Sequence, residues 1–261
     1  MKTFVLLAVV AAALVIAASS LARAAQDEAA QSAARAQAAA AGKPVTCVPQ
    51  QKNPDRHEQF MKHKKEALKN GPIQLVFIGD SITDAWRGGG QNKLFKERWD
   101  KYNPLNLGIS GDKTEHVLWR LENGELDGLS GGTKLVVMMI GTNNLGNNPR
   151  ATPEDTAEGV KCLVRTVRQK LPESKILLLG VFPRGREANN PFRAQIKTLN
   201  ERISKLDDGK SVRYLDIGEK FLDEDGRIPE DVMRDELHPD AKGYRIWADA
   251  IDPVIGEMIG G

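Results

Sequence analysis

Short, uninterrupted apolar runs recur along the chain, each followed by a longer amphipathic stretch. This alternation restricts the fold more than any other feature of the sequence. The runs fall at 73–78, 105–108, 135–140, 176–181 and 212–216, and strings such as LVVMMI and ILLLG show no polar alternation. A strand with one wet face alternates apolar and polar residues. A strand without alternation is buried on both faces, as in a parallel sheet covered by helices. The segments 54–70, 91–101, 113–123, 153–170, 190–206 and 240–258 read as those helices. The order βαβα therefore predicts an α/β fold, a flavodoxin-like three-layer α/β/α sandwich around a five-stranded parallel sheet.

The N-terminus has a different character. Lys2, an apolar run over 4–18 and the triplet Ala22-x-Ala24 are the three parts of a cleavable signal peptide, residues 1–24. The run is short and Ala-rich for a spanning helix, and an uncleaved anchor is the alternative. Residues 25–48 read as an Ala/Gln-rich spacer, leaving 49–261 as the folded domain. The expected location is secreted or periplasmic, with no stable membrane insertion after cleavage. Export would put Cys47 and Cys162 where a disulfide is permitted, and the sequence leaves the pairing open. Cleavage takes Lys2 and Arg23 from 37 basic residues, leaving 35 against 35 acidic ones. A neutral protein has no electrostatic drive toward nucleic acid or an anionic membrane surface. The cluster Lys62-His63-Lys64-Lys65 reads as the solvated face of a helix.

In an open α/β sheet, ligands bind beyond the carboxyl ends of the strands. Those ends carry Gly79-Asp80-Ser81, Gly108-Ile109-Ser110-Gly111-Asp112, Gly141-Thr142-Asn143-Asn144 and Pro183-Arg184-Gly185, and a late loop carries Asp235-Glu236-Leu237-His238. A serine hydroxyl needs a base to take its proton, and that base must be held in the right tautomer. Of four histidines, His57 and His63 lie in a Lys-rich stretch expected to face solvent, and His116 suits a structural role. His238 stands three residues after Asp235, a spacing that lets the carboxylate hold one ring nitrogen and leaves the other free. Ser81 follows a tight strand exit. Its rival Ser110 lacks the second glycine of Gly-x-Ser-x-Gly, because position 112 is Asp112. Ser81, Gly108 and Asn143 are candidate donors to a developing oxyanion.

Gly79-Asp80-Ser81, Gly108 in NLGISGD, Gly141-Thr142-Asn143-Asn144 and Asp235-x-x-His238 resemble the four ordered blocks of the SGNH hydrolase (GDS-type lipase/esterase) family, over about residues 70–256. The longer strings NLGISGDKTEHVLWRLENGELDG, IGTNN and LLLGVFPRG resemble the catalytic subunits of intracellular platelet-activating-factor acetylhydrolase. The resemblance implies Ser81 as nucleophile, His238 as general base then acid, and Asp235 as its orienting partner. It further implies an oxyanion hole of Ser81, Gly108 and Asn143, with Asp80 bracing the turn. It implies no metal, no cofactor and an acyl-enzyme intermediate. The resembled subunits pair as dimers, so a homodimer is implied, though no residue pattern marks an interface.

These features predict an exported serine esterase acting on short, acetyl-type esters of a carbohydrate or lipid. A phospholipid or lysophospholipid esterase is the enzymatic alternative, and a non-catalytic glycan-binding module is the alternative of another class. Activity should rise as His238 loses its proton. Pocket walls are expected near 86–90, 145–150 and 184–190, where Trp86 either stacks on a sugar or packs inside. Arg184 and Arg186 either meet an anionic substrate group or face water.

Overall fold

The uninterrupted apolar runs form strands buried on both faces. Leu75–Gly79 (β1), Leu105–Asn106 (β2), Leu135–Met139 (β3), Lys175–Leu179 (β4) and Val212–Leu215 (β5) make one sheet of order β2-β1-β3-β4-β5, parallel throughout. The helices are Pro54–Ala67 (α1), Ser81–Asp84 (α2), Gly89–Trp99 (α3), Thr114–Arg120 (α4), Thr142–Gly146 (α5), Pro153–Lys170 (α6), Pro191–Ile203 (α7) and Ala241–Gly260 (α8). The computed structural model describes residues 41–147 and 150–260, together with Gln26, Ala29, Ala30, Ser32, Ala33, Ala36 and Gln37. The leader expected over 1–24 lies outside the described residues.

Successive strand residues point to opposite faces, and the two cores follow from that. Val76, Ile78, Val136, Met138, Ile176 and Leu178 pack with side chains of α1, α4, α6 and α7. Leu75, Phe77, Val137, Met139, Leu177 and Leu179 pack with α3 and α8. The result is the three-layer flavodoxin-like sandwich. In α6, Val160, Leu163, Val164 and Val167 form the buried stripe that a period of 3.6 requires. Its start is set by Pro153 and by Thr152, whose hydroxyl accepts the Asp155 N–H.

Three sequence expectations change. The strand expected over 105–108 is regular only at Leu105–Asn106, although Leu107 and Ile109 still donate to Phe77 and Gly79 of β1. The helix expected over 113–123 ends at Arg120, and Asn123 and Gly124 leave helical geometry. The packed body begins at Val45, ahead of residue 49, because Thr46, Cys47 and Val48 are buried against α6. There Cys47 and Cys162, 115 positions apart in sequence, form a disulfide with Cα atoms 5.9 Å apart. On the chain-entropy account, closing so long a loop restricts the unfolded state by about 4–5 kcal/mol.

Two further corrections concern charged residues before β1. Lys64 is buried and donates to the carbonyls of Gly124 and Asp127, so it is not part of a solvated face. His57 does not face solvent either: Nδ1 lies 3.3 Å from Glu125 Oε1 and Nε2 3.1 Å from the Asn123 carbonyl. The cause is shared. The wide turn after α4 leaves carbonyls and a buried carboxylate that α1 must satisfy.

Candidate active site

Strand order reverses between β1 and β3, and that is where a doubly wound sheet opens a crevice. The turn leaving β1 crosses it closely. A Cβ on Gly79 would lie 2.6 Å from the Met139 carbonyl, and one on Gly108 would lie 2.4 Å from the Asp84 nitrogen. Only glycine lets the end of β1 lie so close to β3, and the turn after β2 so close to α2. An isolated single-turn helix is unstable on its own, so α2 needs outside partners. Tyr244 Oη donates to the Ile82 carbonyl at 2.7 Å, and Asn106 Nδ2 to the Thr83 carbonyl at 2.7 Å. Arg87 donates to the Asn106 and Gly108 carbonyls and to Asp84.

Asp80 caps α2 by accepting the Ile82 N–H at 3.0 Å. Its other oxygen is buried without a partner among the described residues, and burial pushes the carboxyl up to about 7, against the pull of the Ile82 N–H and His238. The folded protein thus holds a proton that the unfolded chain releases near the ordinary carboxylate value. Stability from this group falls as pH rises from about 4 to about 7. Asp80→Asn, which keeps the cap acceptor, should therefore gain in Tm relative to wild type between pH 5 and pH 8. Parallel Tm profiles for the two proteins would overturn this account.

Ser81 stands at the first position of α2, where a backbone N–H has no acceptor within the helix. Its Oγ lies 2.8 Å from His238 Nε2, and His238 Nδ1 lies 2.6 Å from Asp235 Oδ2. A carboxylate only accepts, so Nδ1 carries the proton and Nε2 is left as the acceptor for Ser81. Asp235 Oδ1 also accepts the backbone N–H groups of Leu237 and His238. These bonds outweigh partial burial and hold the Asp235 carboxyl below its usual range. The loop reaches the site because Glu236 adopts φ +65°, its carbonyl accepting from Gly185 N–H and its carboxylate from Arg186 N–H. Arg186 completes this clamp on the carbonyls of Ile228 and Arg234, so it is a loop tie.

Asn143 lies at the start of α5, beyond β3. Its Oδ1 accepts from Asn147 and its Nδ2 donates to the Asp112 carbonyl at 3.0 Å, which fixes the amide and leaves one N–H for another acceptor. The Gly108 N–H is engaged, donating to Asn106 Oδ1 at 2.9 Å. Asn106, Asp112, Asn147 and Glu236 thus shape the site, though only NLGISGD hinted at the first two. Ser110 is exposed, its N–H donating to Asp84, and it is Ser81 that His238 Nε2 meets. His116 accepts the Lys113 N–H, the structural role expected of it. Trp86 cannot stack on a sugar: it is fully buried, 4.5 Å from Tyr244 and 5.1 Å from Trp247 between ring centroids. A separate groove of about 690 Å³ lies between α7 and the loop after β5, lined by residues such as Asn200 and Asp216 and by none of the Ser81, Asp235 and His238 set. Among the described residues no cluster of three or more His, Cys, Asp or Glu is placed to hold a metal, and no helix is long and apolar enough to cross a membrane.

Residues 77–246 match the family model of the GDSL-like lipase/acylhydrolases. The chain is 35% identical over 189 residues to platelet-activating factor acetylhydrolase IB subunit alpha1 of Bos taurus, covering 72% of this chain and 75% of that protein. It is 37% identical over 177 residues to the alpha2 subunit of Rattus norvegicus, covering 67% and 73%. The fold is similar to a GDSL-like lipase of Bacteroides thetaiotaomicron (TM-score 0.60, 20% identity, 77% and 98% covered). It is also similar to an acetyl-xylooligosaccharide esterase of Geobacillus stearmophilus (TM-score 0.55, 21% identity, 72% and 94% covered).

Proposed function

Because this chain belongs to the GDSL-like lipase/acylhydrolase family and is an ester hydrolase, we propose that it is an exported serine esterase removing short acyl groups, acetyl above all, from a carbohydrate or lipid ester. The hydrogen-bonded line Ser81–His238–Asp235 is the observation that carries the catalytic part of this reading. His238 Nε2 takes the Ser81 proton as Oγ attacks the ester carbonyl. The tetrahedral oxyanion is met by the Ser81 N–H and the spare Asn143 Nδ2–H, and by the Gly108 N–H once it exchanges Asn106 Oδ1 for the anion. The imidazolium, stabilised by Asp235, returns its proton to the leaving alcohol. Water, deprotonated by His238, then attacks the acyl carbon, and as the bond to Ser81 Oγ breaks the imidazolium returns that proton to Oγ, releasing the carboxylic acid and the free enzyme. Asp80 stays out of the proton traffic and braces α2.

Preference for acetyl is supported by the names of the relatives, and export by the leader pattern and by a disulfide suited to an oxidising compartment. A phospholipid esterase is the second reading, favoured by the 35% identity to a platelet-activating-factor acetylhydrolase subunit. The test is kcat/KM on p-nitrophenyl esters of rising chain length, with fluorophosphonate labelling of Ser81. The expected result is labelling, with a fall of about tenfold or more from acetyl to octanoyl, since small pockets discriminate by roughly that factor per added methylene or two. A flat or rising series would overturn the short-acyl reading. Binding of acetylated glycan with neither turnover nor labelling would favour a binding module.

A further inference from the structure

Arg184 leaves the end of β4 and turns back across α5. Its Nη1 donates to the Thr142 carbonyl at 3.3 Å, next to Asn143, and the guanidinium lies against Gly146. Its Cζ sits 4.2 Å from the centre of the Phe192 ring, and the Cζ of Arg150 sits 6.0 Å from the same centre. Arg150 is anchored there by its neighbour, Ala151 N–H donating to the Asn144 carbonyl. Two guanidinium groups on one ring repel each other. Burial and the charge of Arg150 both push Arg184 below its ordinary value.

Neither arginine makes an ion pair among the described residues, whereas Arg87, Arg98, Arg120 and Arg202 each sit on a carboxylate. Arg150 is exposed and Arg184 half-buried, so both guanidinium groups can be reached by a ligand. The bond to the Thr142 carbonyl, one residue before Asn143, places Arg184 beside the site. Neither Asp235 nor Asp80 can serve as its partner. Asp235 is occupied by the His238 ring and two backbone N–H groups, and Asp80 is buried and caps α2. An aromatic face is a weaker partner for a guanidinium than a bidentate anion.

We propose that Arg184 and Arg150, across the Phe192 ring, form an anion subsite that takes a phosphate or carboxylate on the alcohol portion of the ester. The charge belongs to the alcohol because an acetyl group carries none. The inference rests on the esterase reading above and narrows its substrate class. The planar guanidinium fork matches paired oxygens, as in a phosphodiester or a uronate.

The test compares kcat/KM for 2-acetoxyethyl phosphate, its methyl phosphodiester and 2-acetoxyethanol, and for O-acetylglucuronate against O-acetylglucose. The phosphate and uronate arms tell the two sources apart. We expect at least one charged ester to be preferred over its neutral counterpart by about tenfold or more, mainly through KM, and the preference to shrink in 0.5 M salt. R184Q and R150Q should each collapse that ratio, with R184K intermediate. A clamp that only steadies α5 would instead slow charged and neutral esters alike. In wild type, glycerol phosphate or glucuronate should compete with hydrolysis of the neutral ester, a readout that needs no variant to fold. Equal rates on charged and neutral esters, or a preference that survives both substitutions, would overturn the subsite and leave the esterase reading standing. No turnover of any ester, together with no phosphonate labelling, would overturn the reading beneath it.

Discussion

Ser81→Ala should lower kcat on p-nitrophenyl acetate by about 10⁴–10⁶-fold, with the circular dichroism spectrum and Tm near wild type. The loss is large because the hydroxyl supplies the atom that forms the acyl-enzyme. What survives is the effect of the oxyanion donors and of substrate positioning. His238→Ala should fall as far, and the double variant scarcely further, because residues acting in one proton transfer are strongly non-additive. Asp235→Asn should cost about 10⁴-fold, since the amide offers Nδ1 a donor and favours the wrong tautomer. Ser110→Ala provides the internal control: exposed and bonded to Asp84 only through its backbone, it should retain wild-type rates. Full activity in Ser81→Ala, or its loss in Ser110→Ala, would reassign the nucleophile.

Arg120→Ala should destabilise the protein by about 3–5 kcal/mol, the usual consequence of removing one member of a buried ion network. Arg120 donates from Nε to Asp112 Oδ2 at 2.9 Å and from Nη1 to Glu125, and all three residues are buried. Truncation leaves two carboxylates in a low-dielectric interior. Glu125 shows the scale of the dependence. Burial alone would raise its pKa, but Arg120 and the His57 hydrogen bond hold it below the usual value. That part of the stability is present above the unfolded carboxylate value and is lost as pH falls through the lowered one. The damage should also reach catalysis, because the Asp112 carbonyl holds the Asn143 amide. Urea unfolding gives the stability change, and kcat at low denaturant gives the second effect. A midpoint within the error of wild type would mean that water relieves the network, contrary to the burial described here.

Much of the architecture is legible in the sequence. Apolar runs of four to six residues without alternation, bounded by glycine and polar residues, suit doubly buried strands, so five of them separated by amphipathic stretches called for a covered parallel sheet. The convergence of Ser81, Asn143 and His238 followed from where the strands end, since the carboxyl edge of such a sheet gathers every loop after a strand. What stayed hidden depends on contacts between distant segments. Nothing near Lys64 announces that α1 must satisfy the carbonyls of Gly124 and Asp127. Trp86 carries the same local signal whether it meets sugar or the Tyr244 and Trp247 rings.

By itself, the sequence determined the fold class, the family and the order of the chemical groups along the chain. These rest on periodicity and on motifs a few residues long, which local geometry dictates. Only the tertiary structure decided that His238 Nε2 meets Ser81 at 2.8 Å, that Gly108 spends its N–H on Asn106, and that Cys47 pairs with Cys162. Likewise, only the fold brought Arg150 and Arg184 to one ring, with no ion pair to either among the described residues. The physical reason is common to all of these. Hydrogen bonds, ion pairs and repulsions act over a few ångströms in space, and segments a hundred residues apart in sequence reach that range only after the two cores have closed on the sheet.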